Sequence, residues 1–197
     1  MSVLLAEAPT KLLTAEEFGE MDFGDRRVEL VEGEVVDLSG PRIRHGAIMA
    51  KIVRLIGVFA DAHQLGTVAC GDPGVITRRN PDSVRGPDIA FYLAAKLAGI
   101  PDHDDFLSFP PDLVVEILSP NDRNKDTLRR VTEFLEAGVL VVAVFDPRKL
   151  RLVQQRPDGD VEVLNAEDVW TVPELLPGFA VQVKELAGIA AAKGDCP

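Results

Sequence analysis

Residues 113–118, LVVEIL, and residues 139–147, VLVVAVFDP, decide the fold. Both are almost wholly apolar, as strands buried on both faces must be. The stretch between them reads as a helix, with Leu128, Val131 and Leu135 on one side, Asp122 placed to cap its start and Gly138 suited to end it. Two strands joined through a helix of this length make a right-handed crossover. Leu113 to Phe145 is therefore predicted to be one βαβ unit with parallel strands.

Upstream, Ile48, Ile52, Leu55, Ile56 and Phe59 recur at helical spacing. This predicts a helix from about Ile43 to His63 that buries one face and leaves Arg44, Lys51 and Arg54 on the other. TVACGDPGVIT (67–77) and VRGPDIAFYL (84–93) read as two strands of a hairpin joined by Asn80-Pro81-Asp82-Ser83. RVELVEGEVVDLSG (27–40) alternates apolar and charged residues around Glu32-Gly33, a second hairpin with one buried face. Thr14 with Glu17 is a capping-box pair for a short helix to about Met21. Downstream, LRLVQQ, VEVL and FAVQV read as edge strands, with Pro157-Asp158-Gly159-Asp160 as a turn. The expected organisation is one domain over 1–197: an N-terminal helix and hairpin (1–40), a core (41–147), and C-terminal edge strands with a tail (148–197).

The 197 residues, 46% hydrophobic and 27% charged, lie in the globular range and exclude global disorder. A net charge of −11 weighs against a nucleic-acid partner, but the charge is segregated. Residues 1–37 hold ten acids and three bases, and residues 155–197 hold eight and three. Residues 38–154 hold fifteen bases and fourteen acids, and Arg42 to Arg54 contains no acid, so a local basic surface is available. Cys70 and Cys196 have neither metal-ligand nor disulfide-framework spacing, which points to reduced thiols. No signal peptide or membrane span is legible, and a soluble cytoplasmic protein is expected.

Chemistry is suggested by two carboxylates inside apolar strands, Asp88 in RGPDIAFYL and Glu116 in LVVEIL. A carboxylate there is costly unless it is hydrogen-bonded, paired or bound to a cation. Pairing would use an arginine such as Arg85 or Arg130. Cation binding would use both acids and a backbone carbonyl around Mg²⁺, a hard ion that keeps several waters.

Pro87-Asp88 followed by Glu116-Ile117-Leu118 resembles the PD-(D/E)XK nuclease superfamily. Glu29-Leu30-Val31-Glu32-Gly33-Glu34, His45, Arg85-Gly86-Pro87-Asp88, Val115 to Pro120, Gly138-Val139 and Asp146-Pro147 together resemble the Uma2 branch of restriction endonucleases. The resemblance runs from about Glu29 to Pro147. It implies an α/β (α+β) restriction-endonuclease-like core, a mixed sheet flanked by helices. It also implies phosphodiester hydrolysis of DNA with Mg²⁺ or Mn²⁺, with Asp88, Glu116 and the Ile117 carbonyl as metal ligands. Leu118 stands at the superfamily's lysine position. In the Uma2 pattern the lysine comes from the following helix, four residues before an aromatic, and counting back from Phe134 gives Arg130. Arginine can grip phosphate but is a poor general base; Lys125 lies on another face of that helix. The resemblance also favours Glu29, since Glu29 and Glu32 have opposite strand parity and only one can approach the site. His45, near a helix N-terminus, is a candidate phosphate donor. Trp170 and Tyr92 are too isolated for a base-stacking platform.

Two classes follow, a metal-dependent endonuclease with Arg130 at the phosphate, working as a homodimer, and a catalytically degenerate module that keeps the nuclease fold for protein or nucleic-acid interaction. DNA binding further requires the acidic ends to lie away from a basic face made by the Arg42–Arg54 helix, Arg78, Arg79 and the Arg123–Arg130 segment.

Overall fold

The computed structural model describes residues 11–40, 42–100, 106–119 and 124–187. Helix α1 (Ala15–Gly19) opens with the expected capping box, Thr14 accepting from the amide of Glu17 and Glu17 accepting from that of Thr14. Strands β1 (Val28–Val31) and β2 (Glu34–Asp37) form the first hairpin. Its two-residue turn, Glu32-Gly33, has positive φ at both positions (52° and 84°), the geometry that suits strand twist in tight hairpins. Glu32 therefore belongs to the turn, outside the strand parity that sequence assigned it.

Helix α2 (Ile43–His63) spans the expected range and buries Ile48, Ile52, Ile56 and Ala60 completely. Each isoleucine contributes roughly 1.5–3 kcal/mol by leaving water. The ribbon that follows departs from a simple hairpin. It comprises β3 (Gly66–Cys70), β4 (Val75–Arg78), β5 (Ser83–Arg85) and β6 (Ile89–Leu93), with β4 on β5 in one sheet and β3 on β6 in another. The chain breaks where Gly71 and Asp72 take positive φ and, opposite them, at Gly86 to Asp88. Asp88 thus stands at the junction of the two sheets.

After the short α3 (Ala94–Leu97), β7 (Leu113–Ile117), α4 (Asn124–Glu136) and β8 (Val141–Asp146) form the expected βαβ unit, with β7 and β8 parallel. Strands β9 (Arg151–Gln155) and β10 (Val161–Leu164) complete a six-stranded mixed sheet in the order β10-β9-β8-β7-β6-β3; the smaller sheet runs β2-β1-β5-β4. Leu113, Val115 and Ile117 face the α2 side of the large sheet, whereas Val114 packs with Val131 and Phe134 of α4 on the opposite side.

Two sequence expectations change. Leu128 is 59% exposed, and α4 packs on the sheet through Val131 and Phe134 instead. The FAVQV segment adds no edge to the large sheet. Within it β12 (Val181–Gln182) pairs only with β11 (Val169–Trp170), and Val181, Val183, Phe179 and Trp170 cover the α2 face, helped by a 3₁₀ turn (Val183–Ala187). Trp170 is fully buried and donates to Gln154. The Asp122 cap and Cys196 lie outside the described residues.

Candidate active site

Strands β6 and β7 are antiparallel, with Ile89 opposite Val115. The residue just before β6 therefore meets the far end of β7, and this brings Asp88 beside Glu116 and Ile117. Both carboxylates open onto a cleft of about 390 Å³, lined also by Arg27, Arg42, His45, Asp72 and Arg130.

Asp88 Oδ2 accepts the Ile117 amide at 2.7 Å and lies 3.2 Å from His45 Nε2. The same Nε2 is 3.1 Å from the Ile117 carbonyl. A carboxylate and a carbonyl both accept, so Nε2 carries the proton. His45 is thereby turned onto the Asp88–Ile117 pair.

Arg130 is held still more firmly. Its Nε and Nη2 donate to Glu116 Oε1 (3.2 and 2.8 Å), Nη1 donates to Glu29 Oε1 (2.6 Å), and Nη2 also reaches the Gly86 carbonyl (2.9 Å). Four of the five guanidinium N–H groups are thus directed into the protein, leaving one on Nη1. Glu29 is buried and also accepts the Gly86 amide (2.8 Å) and Arg85 Nη1 (3.0 Å). Arg85 in turn grips Glu133 through Nε and Nη2 (2.5 and 2.9 Å). The sequence reading named Arg85 only as a possible partner of the strand acids and missed Glu133. An arginine inside an apolar strand was the available signal.

Glu116 keeps 13% of its side chain exposed. Burial pushes its carboxyl up to about 7, Arg130 opposing the shift and the Asp88 charge adding to it. Among the described residues, Asp88 Oδ1 and Glu116 Oε2 have no hydrogen-bond partner. Two oxygens left open, on neighbouring carboxylates that repel each other and face a cleft, fit a hard divalent cation. No group of three or more His, Cys, Asp or Glu that could hold a metal ion converges among the described residues.

Part of the basic face expected from sequence is neutralised by acids, and Arg123 lies outside the described residues. Arg79 is paired with Glu16 and Asp82, Arg78 with Glu32, and Arg129 with Glu32 and Glu133. Acids of the N-terminal segment thus lie against arginines they were expected to avoid. Arg42, exposed at the cleft, has no acidic partner among the described residues.

Residues 15–184 match the family described as "Uma2: Putative restriction endonuclease". The chain belongs to the Uma2 family. The fold is shared with a crystal structure described as "a putative nuclease belonging to DUF820 from Anabaena variabilis ATCC 29413", at a TM-score of 0.78 and 21% identity, over 89% of this chain and 97% of that one. No curated protein matches. Among the described residues of this Uma2 chain, no helix is long and apolar enough to cross a membrane.

Proposed function

We propose that this Uma2 chain is a divalent-metal-dependent endonuclease that hydrolyses DNA phosphodiester bonds. The observation carrying this reading is the convergence of Asp88 and Glu116, each with one unengaged oxygen, at the floor of a cleft bordered by Arg42. Asp88, Glu116 and the Ile117 carbonyl would hold Mg²⁺ or Mn²⁺. Such an ion lowers the pKa of bound water and neutralises charge developing on the phosphate oxygens.

The chain's own residues set up that chemistry. The Ile117 amide and His45 fix the orientation of Asp88, and Arg130, braced by Glu29 and Gly86, fixes that of Glu116. Arg130 acts through Glu116 as a positioning residue, and its remaining Nη1 N–H is the group available to a phosphate oxygen. With Leu118 at the superfamily's lysine position, no lysine side chain shares that strand with Glu116, so water activation falls to the metal site. We extend the proposal to a cytoplasmic homodimer, in which two copies present two sites to the two strands; sedimentation in the presence of DNA reads the stoichiometry.

The test is plasmid cleavage in Mg²⁺ and Mn²⁺ by wild type, Asp88→Asn and Glu116→Gln. Both substitutions preserve hydrogen-bonding shape and remove a ligand charge. Loss of cutting in folded variants is expected, and wild-type rates in either would reject the assignment.

A second reading has one observation in its favour: Arg130 already supplies a counter-charge to Glu116. In a binding module that keeps the nuclease fold, this ion pair would take the metal's place. Calorimetry separates the two readings. Heat of Mg²⁺ or Mn²⁺ binding that disappears in Glu116→Gln supports the nuclease, and its absence in the wild type supports the module.

A further inference from the structure

A second cavity of about 240 Å³ lies beside the metal cleft. The two share His45, Ile117, Leu118, Ser119 and Arg42 as common walls. The second floor is apolar, made by Ile48, Ile117, Leu118 and Pro147, and its rim carries Arg42, Arg44 and Arg148. Among the described residues its lining contains no acid, in contrast to the metal cleft with Asp72, Asp88, Glu116 and Asp126. Asp146, the last residue of β8, accepts the amides of Arg148 and Lys149 (2.9 and 3.3 Å) and also lies within ion-pair distance of both side chains (3.7 and 3.6 Å).

We infer that this slot receives a single nucleobase, extruded from the stack, belonging to a nucleotide that adjoins the phosphate in the metal cleft. The inference rests on the nuclease reading for the identity of that phosphate. Because the cavities share walls, one nucleotide strand can occupy both, its base in the slot and its phosphate in the cleft. An apolar floor under an arginine rim suits a flat, weakly polar ring carried on an anionic chain, since arginine planes stack on bases and their charges hold flanking phosphates. The volume lies below the roughly 300–1,000 Å³ of drug-sized pockets, which limits the slot to one ring system. A base paired within a duplex cannot enter a recess in the protein floor, so the preferred substrate carries an unpaired or readily extruded nucleotide at the cut site. Leu118 borders both cavities while its side chain packs with Val131 and Phe134 on the α4 side, so the slot's apolar floor rests mainly on Ile48, Ile117 and Pro147.

The experiment measures binding, in calcium buffer, of a duplex with one unpaired 2-aminopurine and of the same duplex fully paired. Wild type is expected to prefer the unpaired duplex by about tenfold, with a change in 2-aminopurine fluorescence on binding. Leu118→Trp, which adds bulk in the wall between cleft and slot, and Arg148→Ala, which strips the slot's rim, should each cut that preference to about threefold or less. Arg148 is surface-exposed and decides the matter if the tryptophan variant does not fold. Equal binding of the two duplexes by wild type, or an unchanged preference in the folded variants, overturns the slot. Parallel cleavage in Mg²⁺ separates the two proposals. Cutting without the preference removes the slot alone, and a Leu118-dependent preference without cutting removes the nuclease reading and leaves the slot.

Discussion

Arg130 Nη1 stands 2.6 Å from Glu29 Oε1, so the cation at the position where the family pattern carries lysine is committed to a buried carboxylate. Removing it leaves Glu29 and Glu116 without their shared counter-charge, and breaking a buried pair in this way costs about 3–5 kcal/mol. Arg130→Ala is expected to lose about that much in urea unfolding. Arg130→Lys retains the charge but loses the fork and should lose about half as much. In cleavage assays, a misplaced Glu116 should lower kcat by roughly 100-fold in Arg130→Ala. A fall in DNA affinity with kcat unchanged would instead assign Arg130 to phosphate binding.

Glu116 makes metal-free stability depend on pH. Its folded-state carboxyl sits at about 7 against an ordinary 4.5, so between those values the folded chain keeps a proton that the unfolded chain has released. Stability from this group is present below about 4.5 and falls as pH rises toward 7. Glu116→Gln carries no such proton. Its stability should therefore gain on wild type by about 2–3 kcal/mol between pH 5 and 8, read as several degrees of melting temperature for a chain of this size. A constant difference across that range would mean that Glu116 titrates as an exposed acid does.

Much of the site was legible because it depends on local pattern. Acids inside apolar runs identified Asp88 and Glu116, and the crossover helix fixed the direction of β7. The antiparallel register of β6 against β7 then brings the two acids together. What failed to read from sequence depends on packing between distant elements. Arg85 meets Glu133 only because α4 lies across the smaller sheet. Leu128 has the spacing of a core residue but sits near the start of α4, before the helix packs on the sheet at Val131 and Phe134. The long ribbon breaks at Gly71 and Gly86, and nothing local said that its two halves would join different sheets.

Gly86 is the backbone hinge of the ion-pair network, its amide donating to Glu29 and its carbonyl accepting from Arg130. A Cβ added there would lie 2.6 Å from the Cβ of Asp72, whose carboxylate is held by Arg27. Gly86→Ala should therefore shift the backbone, costing about 1–3 kcal/mol as overpacked sites do, and should weaken Mg²⁺ binding through Glu116. Unchanged denaturant midpoint and metal affinity would show that the Arg27–Asp72 arm yields freely.

Salt dependence of DNA binding distinguishes committed arginines from available ones. Arg79 is held by Glu16 and Asp82, its protonated state stabilised by hydrogen bonds to both, so it has little charge left to offer a phosphate. Arg42 has no acidic partner among the described residues and borders both cavities. Each phosphate neutralised releases counterions and adds about 0.9 to the slope of log K against log salt. Arg42→Ala should reduce that slope by about one, whereas Arg79→Ala should leave it within error while lowering the melting temperature. If Arg79→Ala reduces the slope and Arg42→Ala does not, the DNA path crosses the smaller sheet rather than the mouth of the cleft.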